Sequence, residues 1–141
     1  MLNINSYSSI NSKIKVFHDY IANINVYDQA KVDGGSTYHS DSAIGTLFEG
    51  YSICSGYSDT MAIFLNRLGL ENVKVVTDKH VWNAVKIDDK WYHIDLTWDD
   101  PVVSTGENII QYDYFLLTTD KLLSKNDGEH NFNTEVYDFL R

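Results

Sequence analysis

One cysteine, one proline and 11 basic residues against 20 acidic ones are the scarcities of this 141-residue chain. A single cysteine forbids an internal disulfide, so cysteine usage carries no reading of redox compartment. A single proline beside ten tyrosines and three tryptophans excludes a Pro-rich linker or a disordered chain. The formal net charge of −9 repels phosphate backbones and argues against nucleic acid as a partner. No apolar run approaches the ~20 residues of a membrane helix, which argues against membrane insertion. The start Met1-Leu-Asn-Ile-Asn lacks the basic segment and apolar stretch of a signal peptide. A segment of a longer exported or cell-surface protein would read the same way, so localisation stays open.

What is present suits one core. Hydrophobic residues make up 43% and aromatics 13% of the sequence, and the length predicts a single domain over 1–141. Ile10, Ile14, Phe17, Ile21 and Ile24 recur at helical spacing and predict a helix over 11–24, with Asn11 or Ser12 as N-cap. His18 lies next to that stripe and reads as a structural or surface histidine. Residues 25–41 read as a loop, and 42–48 as a short helix ending near Gly50. Tyr57, Met61, Leu65 and Leu68 mark a second amphipathic helix running from Cys54 to about Leu68, closed by Gly69. The period then turns strand-like. Segments 73–77, 81–87 and 91–96 predict three consecutive antiparallel strands, the last two joined by a tight turn at Asp88-Asp89. Asp99-Asp100-Pro101 reads as a solvated turn ending the sheet segment, and 102–111 as a loop. Residues 112–117 predict a last strand, and 133–140 a short C-terminal helix.

A lone cysteine is most often a small buried hydrophobe. Its place and its companions favour chemistry here. Unpaired N–H groups and the positive dipole end at a helix N-terminus favour a thiolate, the nucleophilic form. His80 starts the second strand and Asp95 lies in the strand that the hairpin pairs with it. A cysteine to attack, a histidine to move the proton and a carboxylate to hold the imidazole suffice to activate a thiol. His93 alternates with Asp95 on one strand face and is a rival base. Cys54, His80 and His93 are zinc-ligand types, but without Cys-x-x-Cys or His-x-x-x-His spacing the reading is no metal.

Four blocks resemble the bacterial transglutaminase-like superfamily: Cys54-Ser-Gly-Tyr57, Leu65-Asn-Arg-Leu-Gly69, His80-Val-Trp-Asn83 and Trp91-Tyr-His-Ile-Asp95-Leu-Thr-Trp98-Asp99-Asp100. Asp113-Tyr-Phe-Leu116 resembles a later strand, so the similarity covers about 42–117. The resemblance implies an α+β, papain-like core with N-terminal helices packed on an antiparallel sheet. It assigns Cys54, His80 and Asp95 as a catalytic triad without a cofactor, acting on a peptide or protein substrate. Ser55 and Gly56 follow the cysteine, and no tryptophan precedes Trp82, where animal transglutaminases carry tryptophans. The Cys54 N–H can supply one oxyanion donor. Tyr51 and Tyr38 are candidates by type for the second, and Trp82 for a wall of the cleft. The implied activity is thiol-dependent acyl transfer, as protease, amidase or cross-linking enzyme. The alternative is a noncatalytic module that keeps the fold and binds peptide or glycan.

Overall fold

The structure is a computed structural model and describes residues 9–102 and 109–141. Helix α1 spans Ile10–Ile24, capped by Ser9, whose Oγ accepts the Ser12 N–H. The expected caps Asn11 and Ser12 therefore lie inside the first turn. The segment expected as a loop contains strand β1 (Val26–Tyr27) and a single turn, α2 (Gln29–Val32). Two residues of strand carry no period, and their pairing with a distant segment is invisible locally. A π-helical turn at Gly45–Glu49 stands where the short helix was expected, and Gly50 closes it in the left-handed conformation. Strand β2 (Tyr51–Ser52) runs straight into helix α3 (Cys54–Arg67). Gly69, with φ of 74°, follows that helix.

The main sheet is antiparallel in the order β3-β4-β5-β6, with β3 at Asn72–Val76, β4 at Val81–Ile87, β5 at Lys90–Ile94 and β6 at Phe115–Leu117. Asp88 and Asp89 both have positive φ, 50° and 63°, and form the tight two-residue turn between β4 and β5. The sequence over-extends β5. Its polypeptide leaves the sheet at Asp95 and enters a one-turn helix, α4 (Leu96–Asp99). Asp99 and Asp100 are not solvated. Both are buried, at 0% and 6% exposure, because each has partners inside: His18 and the Tyr114 N–H for Asp99, the Tyr57 hydroxyl for Asp100. A short helix, α5 (Thr119–Ser124), follows β6. The expected C-terminal helix is a turn and a 3₁₀ segment at Asp138–Leu140. Most of the loop expected at 102–111 lies outside the described residues.

Both sheet faces are covered. Val85 and Ile94 meet Ile14, Ile21, Tyr57, Met61 and Leu65 of α1 and α3 on one face, where Phe17 and Phe64 stack at 3.9 Å. Trp82 and Ala84 meet Tyr114, Leu122, Phe132 and Leu140 on the other. The two-residue period of β4 thus sends alternate side chains into two cores. Asn83 faces the helix and donates to the Ser58 carbonyl at 2.9 Å, fixing α3 on the sheet.

Candidate active site

Several constraints converge on the N-terminus of α3. β1 pairs in parallel with β2, Val26 opposite Tyr51 and Tyr27 opposite Ser52. Behind them Ser52 Oγ donates to Asn25 Oδ1 at 2.7 Å, and Asn25 Nδ2 donates to the carbonyls of Ile21 and Thr46 at 3.0 Å. The Ile53 N–H donates to the Ser40 carbonyl at 2.8 Å. That same carbonyl lies 2.3 Å from where a Cβ on residue 56 would be, so the first turn of α3 admits only glycine there. Cys54, held by this frame, is half-buried at the first helical position. The first-turn N–H groups of α3 have no intrahelical acceptor.

His80 sits in the turn leading into β4. Its N–H donates to Thr77 Oγ1 at 3.0 Å, and its carbonyl accepts the Thr77 N–H at 2.9 Å. Its Nε2–H donates to Asp95 Oδ2 at 2.6 Å, and Cys54 lines the same cleft beside it. Burial opposes charge on this ring, but the Asp95 carboxylate, with Cys54 adding, outweighs burial and pushes its pKa up to about 10. Asp95 is the N-cap of α4 and accepts the Trp98 N–H on Oδ1 at 3.3 Å. Its burial would raise its pKa, yet donors from His130 and His80 hold it below the ordinary carboxylate value. The structure therefore brings Cys54, His80 and Asp95 together.

His93 points to the same side of β5 as Asp95 but does not join this set. Its Nδ1 accepts the Trp82 indole N–H at 3.0 Å, and its Nε2 bonds Thr119 Oγ1 at 2.9 Å. An indole N–H only donates, so His93 is neutral with its proton on Nε2. Burial, then the charge of nearby His130, depresses its pKa to about 4. His18 is structural: it is fully buried, with Nε2 2.9 Å from Asp99 Oδ2. Tyr57 likewise serves the core, donating to Asp100 at 2.6 Å.

A cleft of about 380 Å³ opens over Cys54 and His80. Tyr27, Gln29, Lys79, Thr97, Trp98 and Glu129 contribute to its walls. None of the three side chains proposed from the sequence lines it. Tyr38 and Tyr51 stack on each other with centroids 4.1 Å apart, and Trp82 is 1% exposed, its ring centroid 5.7 Å from that of His80. Tyr27 and Gln29 went unnoticed in the sequence, because only the parallel β1–β2 pair carries them to Cys54. The Tyr27 hydroxyl is held protonated by burial first and then by the neighbouring Cys54.

His130 also escaped sequence reading. It lies in a turn after α5 with no periodicity, yet it is 2% exposed, with Nε2 2.6 Å from Asp95 Oδ2. Among the described residues, His80, Asp95 and His130 form the one group whose ligand-type atoms cluster as a metal site would, within 4.8 Å. The contacts do not fit a bridging ion. Two donors on a tetrahedral Zn²⁺ at ~2.0–2.1 Å stand about 3.3 Å apart. Direct separations of 2.6 Å are hydrogen bonds.

The model of the transglutaminase-like superfamily matches residues 4–96, and the chain belongs to that superfamily. A solved structure of a TGase is 29% identical, with a TM-score of 0.56 over 67% of this chain and 28% of its own. A cysteine protease candidate from Cytophaga hutchinsonii is 19% identical, with a TM-score of 0.53 over 76% of this chain and 37% of its own, and shares the fold. The chain thus spans well under half the length of these two solved proteins. No protein with a curated description matches it.

Proposed function

We propose that this protein is a thiol-dependent acyl-transfer enzyme acting on carboxamide or peptide bonds. The observation that carries the reading is a cleft shared by Cys54, at a helix N-terminus, and His80, whose ring is hydrogen-bonded to buried Asp95. In the resting enzyme the thiol proton resides on His80, and Cys54 Sγ is the nucleophile. Sγ attacks the carbonyl carbon, and the developing oxyanion takes the Cys54 N–H, with Gln29 or Tyr27 as second donor. The C–N bond breaks as His80 gives its proton to the leaving amine, and a thioester remains. Neutral His80 then takes a proton from water or an amine, which attacks the thioester carbon. The C–S bond breaks and the thiolate–imidazolium pair returns. Water as acceptor gives hydrolysis; an amine gives cross-linking. Asp95 holds the imidazole and its charge throughout.

Intact-mass measurement on the protein mixed with glutamine-containing peptides tests this. The expected species is a Cys54 adduct equal to peptide minus ammonia, discharged by water or by added primary amine and absent in Cys54→Ala. Absence of both adduct and turnover across a broad peptide panel contradicts the reading.

A further inference from the structure

Resting on the acyl-transfer reading, we propose that His130 is a positioning residue: it clamps Asp95 alongside His80, on the same carboxylate oxygen, and so fixes the imidazole that serves Cys54. Asp95 Oδ2 receives two short bonds, one from each histidine, both 2.6 Å. Without the second, only His80 itself and a 3.3 Å capping bond on Oδ1 would set the carboxylate's rotation. His130 does not share that freedom. Its Nδ1 lies 2.7 Å from Asp127 Oδ2, and Asp127 is fixed in turn by the Tyr114 hydroxyl at 2.7 Å and by the N–H groups of Glu129 and His130 at 3.0 and 3.1 Å. Its ring lies against Tyr114 at 4.8 Å, with Trp82 at 4.7 Å and Trp98 at 5.2 Å closing the sides.

This support is built by the chain beyond residue 96, where the superfamily match ends. Asp127 and His130 deliver to Asp95 a donor that the matched core does not contain. The imidazole–carboxylate pair is thereby extended to Asp127–His130–Asp95–His80. The titratable groups facing His130 are His80, Asp95, Asp127, the Tyr114 hydroxyl and His93.

The test compares wild type, His130→Phe and His130→Gln. Phenylalanine fills the aromatic slot without a donor; the glutamine amide restores a donor towards Asp95. The readouts are the pH profile of Cys54 alkylation by iodoacetamide and, with a turnover substrate, kcat against KM. His130→Phe is expected to alkylate about 10-fold more slowly near pH 6, the fold-change that one pKa unit of lost thiolate stabilisation corresponds to. Its kcat should fall with KM nearly unchanged, and His130→Gln should recover part of both. A His130→Phe profile superimposable on wild type, or a His130→Gln no better than phenylalanine, overturns the proposal. Should His130→Phe not fold, proton NMR of the unmodified protein decides. Far-downfield imidazole N–H signals assigned to His80 Nε2 and to His130 Nε2, both moved by alkylating Cys54, are expected; such a signal from His80 Nε2 with none from His130 Nε2 overturns the clamp. If wild-type Cys54 reacts near pH 6 no faster than in the unfolded chain, the acyl-transfer reading falls and takes the clamp with it. A wild-type profile that is fast beside an equally fast His130→Phe removes the clamp alone.

Discussion

At the scale of single residues, burial and partners separate histidines that composition treats alike. His80 bonds a buried carboxylate and is pushed up to about 10, whereas His93, bonded to an indole N–H, is pushed down to about 4. Turnover should therefore vanish in Cys54→Ala and His80→Ala and fall strongly in Asp95→Asn. His93→Ala should keep turnover in its folded fraction but lose thermal stability, because Trp82 and Thr119 each lose a buried partner. The same contrast predicts a pH effect. Unfolded His93 takes up a proton near its ordinary 6.5, and folded His93 resists until about 4, so stability is lost as pH falls between those values. The loss is on the order of 3 kcal/mol when complete, and denaturant titrations at pH 7 and pH 4.5 of wild type and His93→Gln measure it. His93→Gln should show a smaller difference. Cys54, His80 and Asp95 were legible as single residues because each stands within a local pattern: a helix start, a strand start and a hairpin partner. His130 has no such pattern, and its role exists only through a contact 35 positions away.

At the scale of elements, the sequence discloses those with internal period and conceals those made by pairing. Helices α1 and α3 carry apolar stripes, and β4–β5 carry a turn signal at Asp88-Asp89 with both residues at positive φ. The two-residue strands β1 and β2 carry neither, yet their parallel pairing brings Tyr27 to the cleft. The end of β5 was misplaced because Asp95 reads as strand by alternation but acts as a helix cap. Gly56→Ala tests the frame around α3. Alanine would gain roughly 1 kcal/mol in helix propensity, but its Cβ would stand 2.3 Å from the Ser40 carbonyl. Overpacking of that kind costs about 1–3 kcal/mol, so the variant should unfold at lower temperature and alkylate Cys54 more slowly. Asp88→Asn with Asp89→Gly should do the reverse for stability, because Asn-Gly suits this turn best and two adjacent carboxylates are removed. Its melting temperature should rise while turnover stays at the wild-type value. An unchanged Gly56→Ala would mean that the 40–46 segment yields freely.

At the scale of the whole molecule, charge and coupled titrations set the working range. A net charge of −9 attracts basic substrates through a field that salt screens over ~10 Å at 0.1 M. For a lysine- or arginine-rich peptide kcat/KM should fall several-fold between low and high salt, and for an acidic peptide it should not. Stability should peak near pH 6.5. His80, raised to about 10, contributes fully below its unfolded value and loses that contribution as pH rises through about 10. His93 imposes the opposite loss below 6.5. Buried Asp100, raised to about 6, imposes a loss that accrues as pH rises from its unfolded value near 3.8 and is complete above about 6. Melting curves from pH 4 to 10 check the peak. The central claim is narrower: His80, held by Asp95, takes the proton of Cys54 and leaves a nucleophilic sulfur. Mass spectrometry of Cys54 after brief exposure to iodoacetamide near pH 6 tests it directly on folded wild type and folded His80→Ala. The account predicts extensive alkylation of wild type and little of His80→Ala, with the two converging at high pH. Equal alkylation of both across the pH range would contradict it.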